Sequence, residues 1–134
     1  MTRIKICGIT TRDDADAPVA AGADALGFIL FEKSPRYTSP ERVQDIVAGL
    51  PPFVTTVGVF VNTPAEQVNV VSRNCGLHAV QLHGDQTPQF CEQIEGTVIK
   101  VFRVQDARWR EAAAPYRVHA LLFDTFEQDR YGGT

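Results

Sequence analysis

Short apolar runs recur along this 134-residue chain, and their spacing limits its possible folds more than any other feature. Each run is rich in Val, Ile, Leu or Phe and is too short for an independent helix, which is typical of a strand buried on both faces. The runs return roughly every 20 to 30 residues, the length of one βα unit. We therefore predict six strands, at residues 3–7, 25–30, 55–61, 79–83, 97–102 and 120–124.

Helix signals fill the segments between these strands. Three hydroxyl residues stand before a proline that suits the first position of a helix, and each pair begins a segment with helical periodicity. The pairs are Ser39-Pro40, Thr63-Pro64 and Thr87-Pro88. Thr63 with Glu66 also fits a capping box. Pro18 and Pro115 interrupt two other helical segments, which must be kinked or shorter than their pattern suggests.

The alternation of strands and helices predicts an α/β fold with a parallel sheet, because right-handed βαβ crossovers join parallel strands. Alternation alone fits both an open doubly wound sheet and a section of a barrel. Polar residues two apart near strand ends favour the barrel, where one alternate set of side chains lines the interior. Such pairs are Lys5 with Cys7 and Gln81 with His83.

Composition bounds the class of protein. An apolar fraction of 44%, a charged fraction of 22% and a net charge of −3 fit a globular protein and give no reason to expect nucleic acid as a partner. Three cysteines without CxxC spacing argue against a disulfide framework and a zinc site, and favour a reducing compartment. No signal-peptide pattern or membrane-spanning run is visible, so we expect a cytoplasmic protein that does not enter a membrane.

Two strand ends carry groups suited to acid–base chemistry. Cys7 ends the first strand, where a thiolate can remove a carbon-bound proton, although a small buried core residue is the plainer interpretation. Asp124 ends an apolar strand, so its carboxyl must accept hydrogen bonds or act as a protonated general acid; a loop cap is the alternative. In parallel α/β folds the carboxyl ends of strands hold the active site.

Three further features suggest contacts with an anionic ligand. Arg36 lies in a loop that also holds Lys33 and Arg42, and its guanidinium can grip a carboxylate or phosphate with two hydrogen bonds, unless the loop is merely solvated. His83 can titrate near neutral pH or bind substrate, or else serve as a structural hydrogen-bonding group. Gly132 and Gly133 resemble part of a glycine-rich anion loop, a weak signal.

Seven segments together resemble the phosphoribosylanthranilate isomerase family. They are KICGIT at 5–10, GADALGFIL at 22–30, SPR at 34–36, VGVFVN at 57–62, VQLHG at 80–84, IKVFRV at 99–104 and LLFDT at 121–125 with YGGT at 131–134. The resemblance implies a (β/α)8 TIM barrel, of which residues 1–134 would be a single incomplete domain covering about the first six βα units. It also implies an Amadori rearrangement of N-(5-phosphoribosyl)anthranilate to 1-(2-carboxyphenylamino)-1-deoxyribulose 5-phosphate in tryptophan biosynthesis, with no metal or cofactor.

The resemblance assigns roles to these same positions. It implies Cys7 as the general base, Asp124 as the general acid and Arg36 as the group that faces the anthranilate carboxylate. We also predict that Lys5, Gln81 and His83 bind the substrate. Gly132 and Gly133 are predicted to bind its phosphate.

Other interpretations remain beside this one. A related phosphate-binding sugar isomerase or epimerase would typically use a pair of aspartates or a metal, and Cys7 on the first strand speaks against it. A non-catalytic fragment is the third possibility, because the last two βα units of an eight-unit barrel follow the sixth strand. The predicted partners are a small phosphorylated substrate and either the missing barrel segment or another copy of the chain.

Overall fold

The structure, a computed structural model, describes residues 1–127, which form alternating strands and helices. The strands are β1 Lys5–Cys7, β2 Ala25–Ile29, β3 Thr55–Phe60, β4 Ala79–Leu82, β5 Thr97–Val104 and β6 Ala120–Thr125. The helices are α1 Arg12–Ala20, α2 Pro40–Ala48, α3 Ala65–Cys75, α4 Pro88–Glu92 and α5 Trp109–Ala113. Every predicted strand is present, with ends that move by a residue or two.

Strand order decides between the two architectures that the sequence left open. The order in the sheet is β1-β2-β3-β4-β5-β6, and every neighbouring pair is parallel. A doubly wound sheet reverses its strand order at a switch point, and this sheet does not. Each strand lies beside the next one in sequence, as in a (β/α) barrel, and β1 and β6 are the two edges of the described sheet.

The helix starts confirm two of the three predicted caps. The hydroxyl oxygens of Ser39 and Thr87 accept hydrogen bonds from backbone amides in the first turns of α2 and α4. The prediction for Thr63 is wrong. Pro64 has an extended backbone with φ −55° and ψ 142° and is itself the residue before α3, so the Thr63 hydroxyl stands one position too early to reach the helix amides.

The two prolines resolve differently. Pro18 lies inside α1, which continues to Ala20. Pro115 lies beyond the end of α5 at Ala113, so that helix is shorter than its sequence pattern suggests.

The core lies between the strands and the helices. Leu26 and Phe28 of β2 pack with Val43 and Ile46 of α2. A second cluster joins the following strands to α3 and α4, with members Phe60, Val68, Val80, Leu82, Cys91, Ile94 and Val98. Because side chains alternate along a strand, the other set points to the opposite side of the curled sheet, and this second set forms the candidate site.

The edge strands have apolar side chains that the helices cover only in part. Ile6 of β1 is 41% exposed, and Leu121 and Phe123 of β6 are 41% and 48% exposed. In the described part of the chain, no helix is long and apolar enough to cross a membrane.

Candidate active site

One cavity of about 260 Å³ lies among the carboxyl ends of the strands. All six predicted site residues that the structure describes line it: Lys5, Cys7, Arg36, Gln81, His83 and Asp124. Gly132 and Gly133 lie outside the described residues, so their predicted role has no structural counterpart here. The sequence placed these six groups on four separate segments, and the fold brings them around one cavity.

Cys7 ends β1 beside a strand that has no side chain at the facing position. A Cβ added to Gly27 of β2 would lie 2.7 Å from the Cys7 sulfur and 3.2 Å from the Lys5 ammonium. Since real Cβ atoms do not approach so closely, a glycine is needed for the thiol to lie against β2. Cys7 is half-buried and forms no disulfide.

Arg36 reaches the same corner from the loop between β2 and α2. Its Nη1 donates a hydrogen bond to the Cys7 carbonyl oxygen at 3.2 Å, and its backbone amide donates to the Ser34 hydroxyl at 3.2 Å. The guanidinium lies over Gly8, whose added Cβ would meet Nη1 at 2.5 Å. Gly8 has φ +88°, a conformation that favours glycine. The arginine side chain therefore lies against the carboxyl end of β1, and the hydrogen bonds described within residues 1–127 leave further guanidinium donors for a ligand.

Lys5 and Gln81 meet across the inside of the curled sheet. The Lys5 ammonium donates a hydrogen bond to Gln81 Oε1 at 2.8 Å, although β1 and β4 are not neighbours in the sheet. Each stands two residues before another site residue, Cys7 and His83 respectively. The pair therefore forms a polar layer inside the curled sheet, two residues along each strand from Cys7 and His83 toward the amino end.

His83 and Asp124 form the other side of the cavity. His83 Nε2 lies 3.6 Å from Asp124 Oδ2, and the amide of Thr125 donates to Asp124 Oδ1 at 2.8 Å. Burial lowers the pKa of His83 below its usual value; the nearby cations Arg103, Lys100 and Lys5 lower it further, and Asp124 opposes them. The imidazole is therefore neutral at pH 7, able to accept at one ring nitrogen and donate at the other.

Arg103 is a neighbour of the site that the sequence analysis missed. We predicted that the fifth strand ends at Phe102, but β5 continues to Val104 and pairs Arg103 with Asp124. Adjacent residues of parallel strands in register point to the same side of the sheet, so Arg103 extends the inward series of Ile99 and Val101. The signal that could have found Arg103 is the alternation of inward residues in IKVFRV, residues 99–104.

The arrangement supplies a thiol and a carboxyl at opposite edges of the described sheet, both facing one cavity. Such a pair can act on a ligand from two sides, one group taking a proton while the other gives one. Arg36 adds a cation beside the thiol. Among residues 1–127, no three His, Cys, Asp or Glu side chains lie close enough to hold a metal ion.

Comparison with known sequences gives a family for this site. A family model described as N-(5'phosphoribosyl)anthranilate (PRA) isomerase matches residues 4–134. The N-(5'-phosphoribosyl)anthranilate isomerases of Geobacter metallireducens and Geobacter sulfurreducens are 53% and 52% identical over 134 residues, which is 100% of this chain and 66% of each relative. The chain belongs to the phosphoribosylanthranilate isomerase family.

Solved phosphoribosylanthranilate isomerases share its fold. The crystal structure of the Thermotoga maritima protein matches with a TM-score of 0.93 at 44% identity, covering 100% of this chain and 66% of that one. A second structure, solved in complex with reduced 1-(o-carboxyphenylamino)-1-deoxyribulose 5-phosphate, matches with a TM-score of 0.90 at 46% identity, covering 95% of this chain and 66% of that one. These matches confirm the predicted TIM-barrel class, and the chain spans 66% of its relatives' length.

Proposed function

We propose that the barrel containing this chain converts N-(5-phosphoribosyl)anthranilate to 1-(2-carboxyphenylamino)-1-deoxyribulose 5-phosphate, a step of tryptophan biosynthesis. The observation that carries the proposal is the placement of Cys7 and Asp124 on one cavity, at opposite edges of the described sheet. The molecule bound by the relative above carries a carboxylate, an amine-linked sugar chain and a phosphate. A substrate of that shape needs a cation for the carboxylate and an acid and a base for the sugar.

The acid acts first. In the substrate complex the Asp124 carboxyl carries a proton and gives it to the ribose ring oxygen, and the bond from that oxygen to C1′ breaks. The lone pair of the anthranilate nitrogen forms the new bond to C1′, so the ring opens to an iminium ion. His83 Nε2, 3.6 Å from Asp124, is placed to contact the same part of the substrate.

The base completes the isomerisation. The thiolate of Cys7 removes the C2′ proton, and the electron pair of that bond moves to neutralise the iminium, which gives an enolamine. The enolamine then gains a proton at C1′ and loses the proton of its C2′ hydroxyl, which leaves a ketone at C2′. The overall reaction moves hydrogen within the substrate and consumes no other reactant.

Binding contacts follow from the same geometry. Arg36, beside Cys7, would pair with the anthranilate carboxylate through two hydrogen bonds. Lys5 and Gln81 already share a hydrogen bond and would present their remaining polar groups to the sugar. The phosphate contacts of Gly132 and Gly133 remain a prediction from the sequence.

We propose further that residues 1–134 form six units of a single barrel domain, and that this domain acts in the cytoplasm. Two more βα units would close it, since a TIM barrel has eight. The unpaired edges of β1 and β6 in the described sheet and their exposed apolar side chains support a partner segment there. The relatives are longer by the remaining third of their length.

A completed barrel tests the activity. This chain, continued by the remaining third of the Geobacter metallireducens relative, should convert phosphoribosylanthranilate to the aminodeoxyribulose isomer, which chromatography separates from the substrate. The relative's final third alone is the control and should be inactive. Asp124→Asn keeps an oxygen for the Thr125 amide but cannot give the proton, so kcat should fall about 10²-fold or more. A folded completed barrel with no turnover, or full turnover after Asp124→Asn, would contradict the proposal.

A further inference from the structure

A buried ammonium lies outside the cavity that contains Cys7. Lys100 of β5 is only 3% exposed and alternates with the inward residues Ile99 and Val101, so its side chain points to the helix side of the sheet. Its Nζ donates hydrogen bonds to the carbonyl oxygens of Gly84 at 2.9 Å and Val101 at 3.0 Å. Burial lowers the pKa of Lys100. A cation here is costly unless its bonds serve a purpose.

The bond to Gly84 belongs to a set that holds one short turn, residues 84–86, after β4. Asn62, which follows β3, accepts a hydrogen bond from the Asp85 amide through Oδ1 at 3.1 Å. The hydroxyl of Tyr116, which precedes β6, donates to the carbonyl oxygen of Gln86 at 2.5 Å. Three separate segments of the chain therefore hold three consecutive residues of the turn.

The packing of this turn leaves little freedom. A Cβ added to Gly84 would lie 2.4 Å from Asn62 Oδ1, so the two segments approach as closely as a glycine permits. The Lys100 ammonium lies 5.3 Å from the ring centre of Phe102 and 5.9 Å from that of Tyr116, contacts that favour a cation over these rings. A methionine would fill similar space without the cost of burying a charge, so the ammonium is best explained by its hold on the Gly84 carbonyl.

The turn begins directly after His83, so the bonds that hold the turn lie next to the backbone of that residue. The His83 amide donates to the Phe60 carbonyl oxygen at 2.9 Å, which fixes the backbone on one side. The bonds to residues 84–86 fix it on the other side. With both sides held, the imidazole stands 3.6 Å from the Asp124 carboxylate.

We infer that Lys100 is a positioning residue, which acts through the turn at residues 84–86 to fix the His83 imidazole against Asp124. The effect of this positioning on turnover rests on the proposed function. The positioning of His83 by Lys100 does not depend on it. Lys100 lies outside the wall that would meet substrate, so its removal should impair turnover without weakening binding.

A double-mutant cycle on His83 measures the positioning directly. The charged groups that act on the imidazole are Asp124, which raises its pKa, and Arg103, Lys100 and Lys5, which lower it. Asp124→Asn should therefore lower the pKa of His83 in the substrate-free completed barrel. NMR titration of ¹⁵N-labelled histidine measures that shift. In a Lys100→Met background the same substitution should lower the His83 pKa by less than half as much. The direct effect of the Lys100 charge cancels, because it is missing from both proteins of that pair.

Two further variants serve as a control and as a second test of the turn. Arg110→Met removes an exposed charge on α5 that has no described contact with the turn, and it should leave the full Asp124→Asn shift. Tyr116→Phe deletes one of the three anchors and should reduce the shift less than Lys100→Met does. It also serves if Lys100→Met does not fold. An undiminished shift in folded Lys100→Met, or in Tyr116→Phe where Lys100→Met fails to fold, overturns the inference.

Kinetics separate this inference from the proposed function. Lys100→Met should lower kcat about 10-fold while KM stays within about twofold, because a displaced His83 loses its place beside Asp124, the group that protonates the substrate, and this slows the chemical step more than binding. Full kcat in folded Lys100→Met would overturn the inference even with the activity established. A completed barrel that shows the predicted loss of coupling but has no isomerase activity would instead refute the proposed function and leave the positioning role intact.

Discussion

At the scale of single residues, the site depends on two glycines as much as on its functional side chains, because the glycines leave space for them. Gly27 leaves the space that the Cys7 sulfur occupies, and Gly8 leaves the space for the Arg36 guanidinium. A methyl group at either position would collide with a functional atom. The thiol and the arginine therefore share a corner that only these glycines permit.

Cys7 should be essential to turnover. Cys7→Ser keeps nearly the same shape but replaces an accessible thiolate with a hydroxyl that stays protonated at neutral pH, so kcat of the completed barrel should fall about 10²-fold or more. Cys75→Ser is a matched control, because Cys75 is buried, does not line the cavity and donates from its sulfur to the Pro40 carbonyl oxygen. Steady-state kinetics on both variants check this; near-normal kcat in Cys7→Ser would exclude a role as base.

Arg36 should act mainly in binding. A bidentate pair with the substrate carboxylate would strengthen binding by about 1.5–3 kcal/mol, so Arg36→Ala should chiefly raise KM. Arg42→Ala is the control, because Arg42 lies in the first turn of α2 and does not line the cavity. Unchanged KM and kcat in Arg36→Ala would rule the contact out.

At the scale of elements, the helix starts show how far local sequence determines structure. Thr63 and Thr87 both precede a proline, yet only the Thr87 hydroxyl caps its helix. The difference lies in which residue takes the extended backbone before the first turn: Thr87 does so at α4, and Pro64 does so at α3. The dipeptide alone does not encode that choice.

Stability measurements distinguish the two threonines. Thr87→Ala removes the acceptor of the Phe90 amide and should lower the free energy of unfolding by about 1 kcal/mol. Thr63→Ala, at a residue with no described cap bond, should change it by less than about 0.5 kcal/mol. Denaturant unfolding of the completed barrel supplies both values. Equal losses of unfolding free energy would show that the Thr87 cap does not stabilise its helix more than Thr63 does.

Sequence reasoning reached the strands and six residues that line the cavity because both leave local signals. Apolar runs located β1 to β6, and polar groups at the run ends pointed to Cys7, His83 and Asp124. Arg103 escaped because we ended β5 too early, at Phe102. The hold of Lys100 on the Gly84 carbonyl escaped for a different reason. It joins residues 16 positions apart, and no local sequence pattern predicts a hydrogen bond from a side chain to a backbone carbonyl.

At the scale of the whole molecule, the described sheet is a barrel wall with two open edges. An edge strand presents unpaired backbone groups, and exposed apolar side chains beside it add surface that a partner can cover. Ile4 and Ile6 of the β1 segment are 53% and 41% exposed, and Leu121 and Phe123 of β6 show similar exposure. Two further βα units would pair with both edges at once, since strands seven and eight stand between the sixth and the first in a closed barrel.

The last prediction concerns that closure. The chain by itself should show little or no isomerase activity and should self-associate through its open edges. Adding the final third of the Geobacter metallireducens relative as a separate polypeptide should give a one-to-one complex with partial activity, measurable by light scattering and turnover. Phe123→Lys should weaken this complex because it puts a charge on the β6 edge. Val70→Lys changes an apolar residue of α3 that is 40% exposed, against 48% for Phe123, and should leave the complex intact. A stable, fully active 14.8 kDa monomer would refute the argument from open edges.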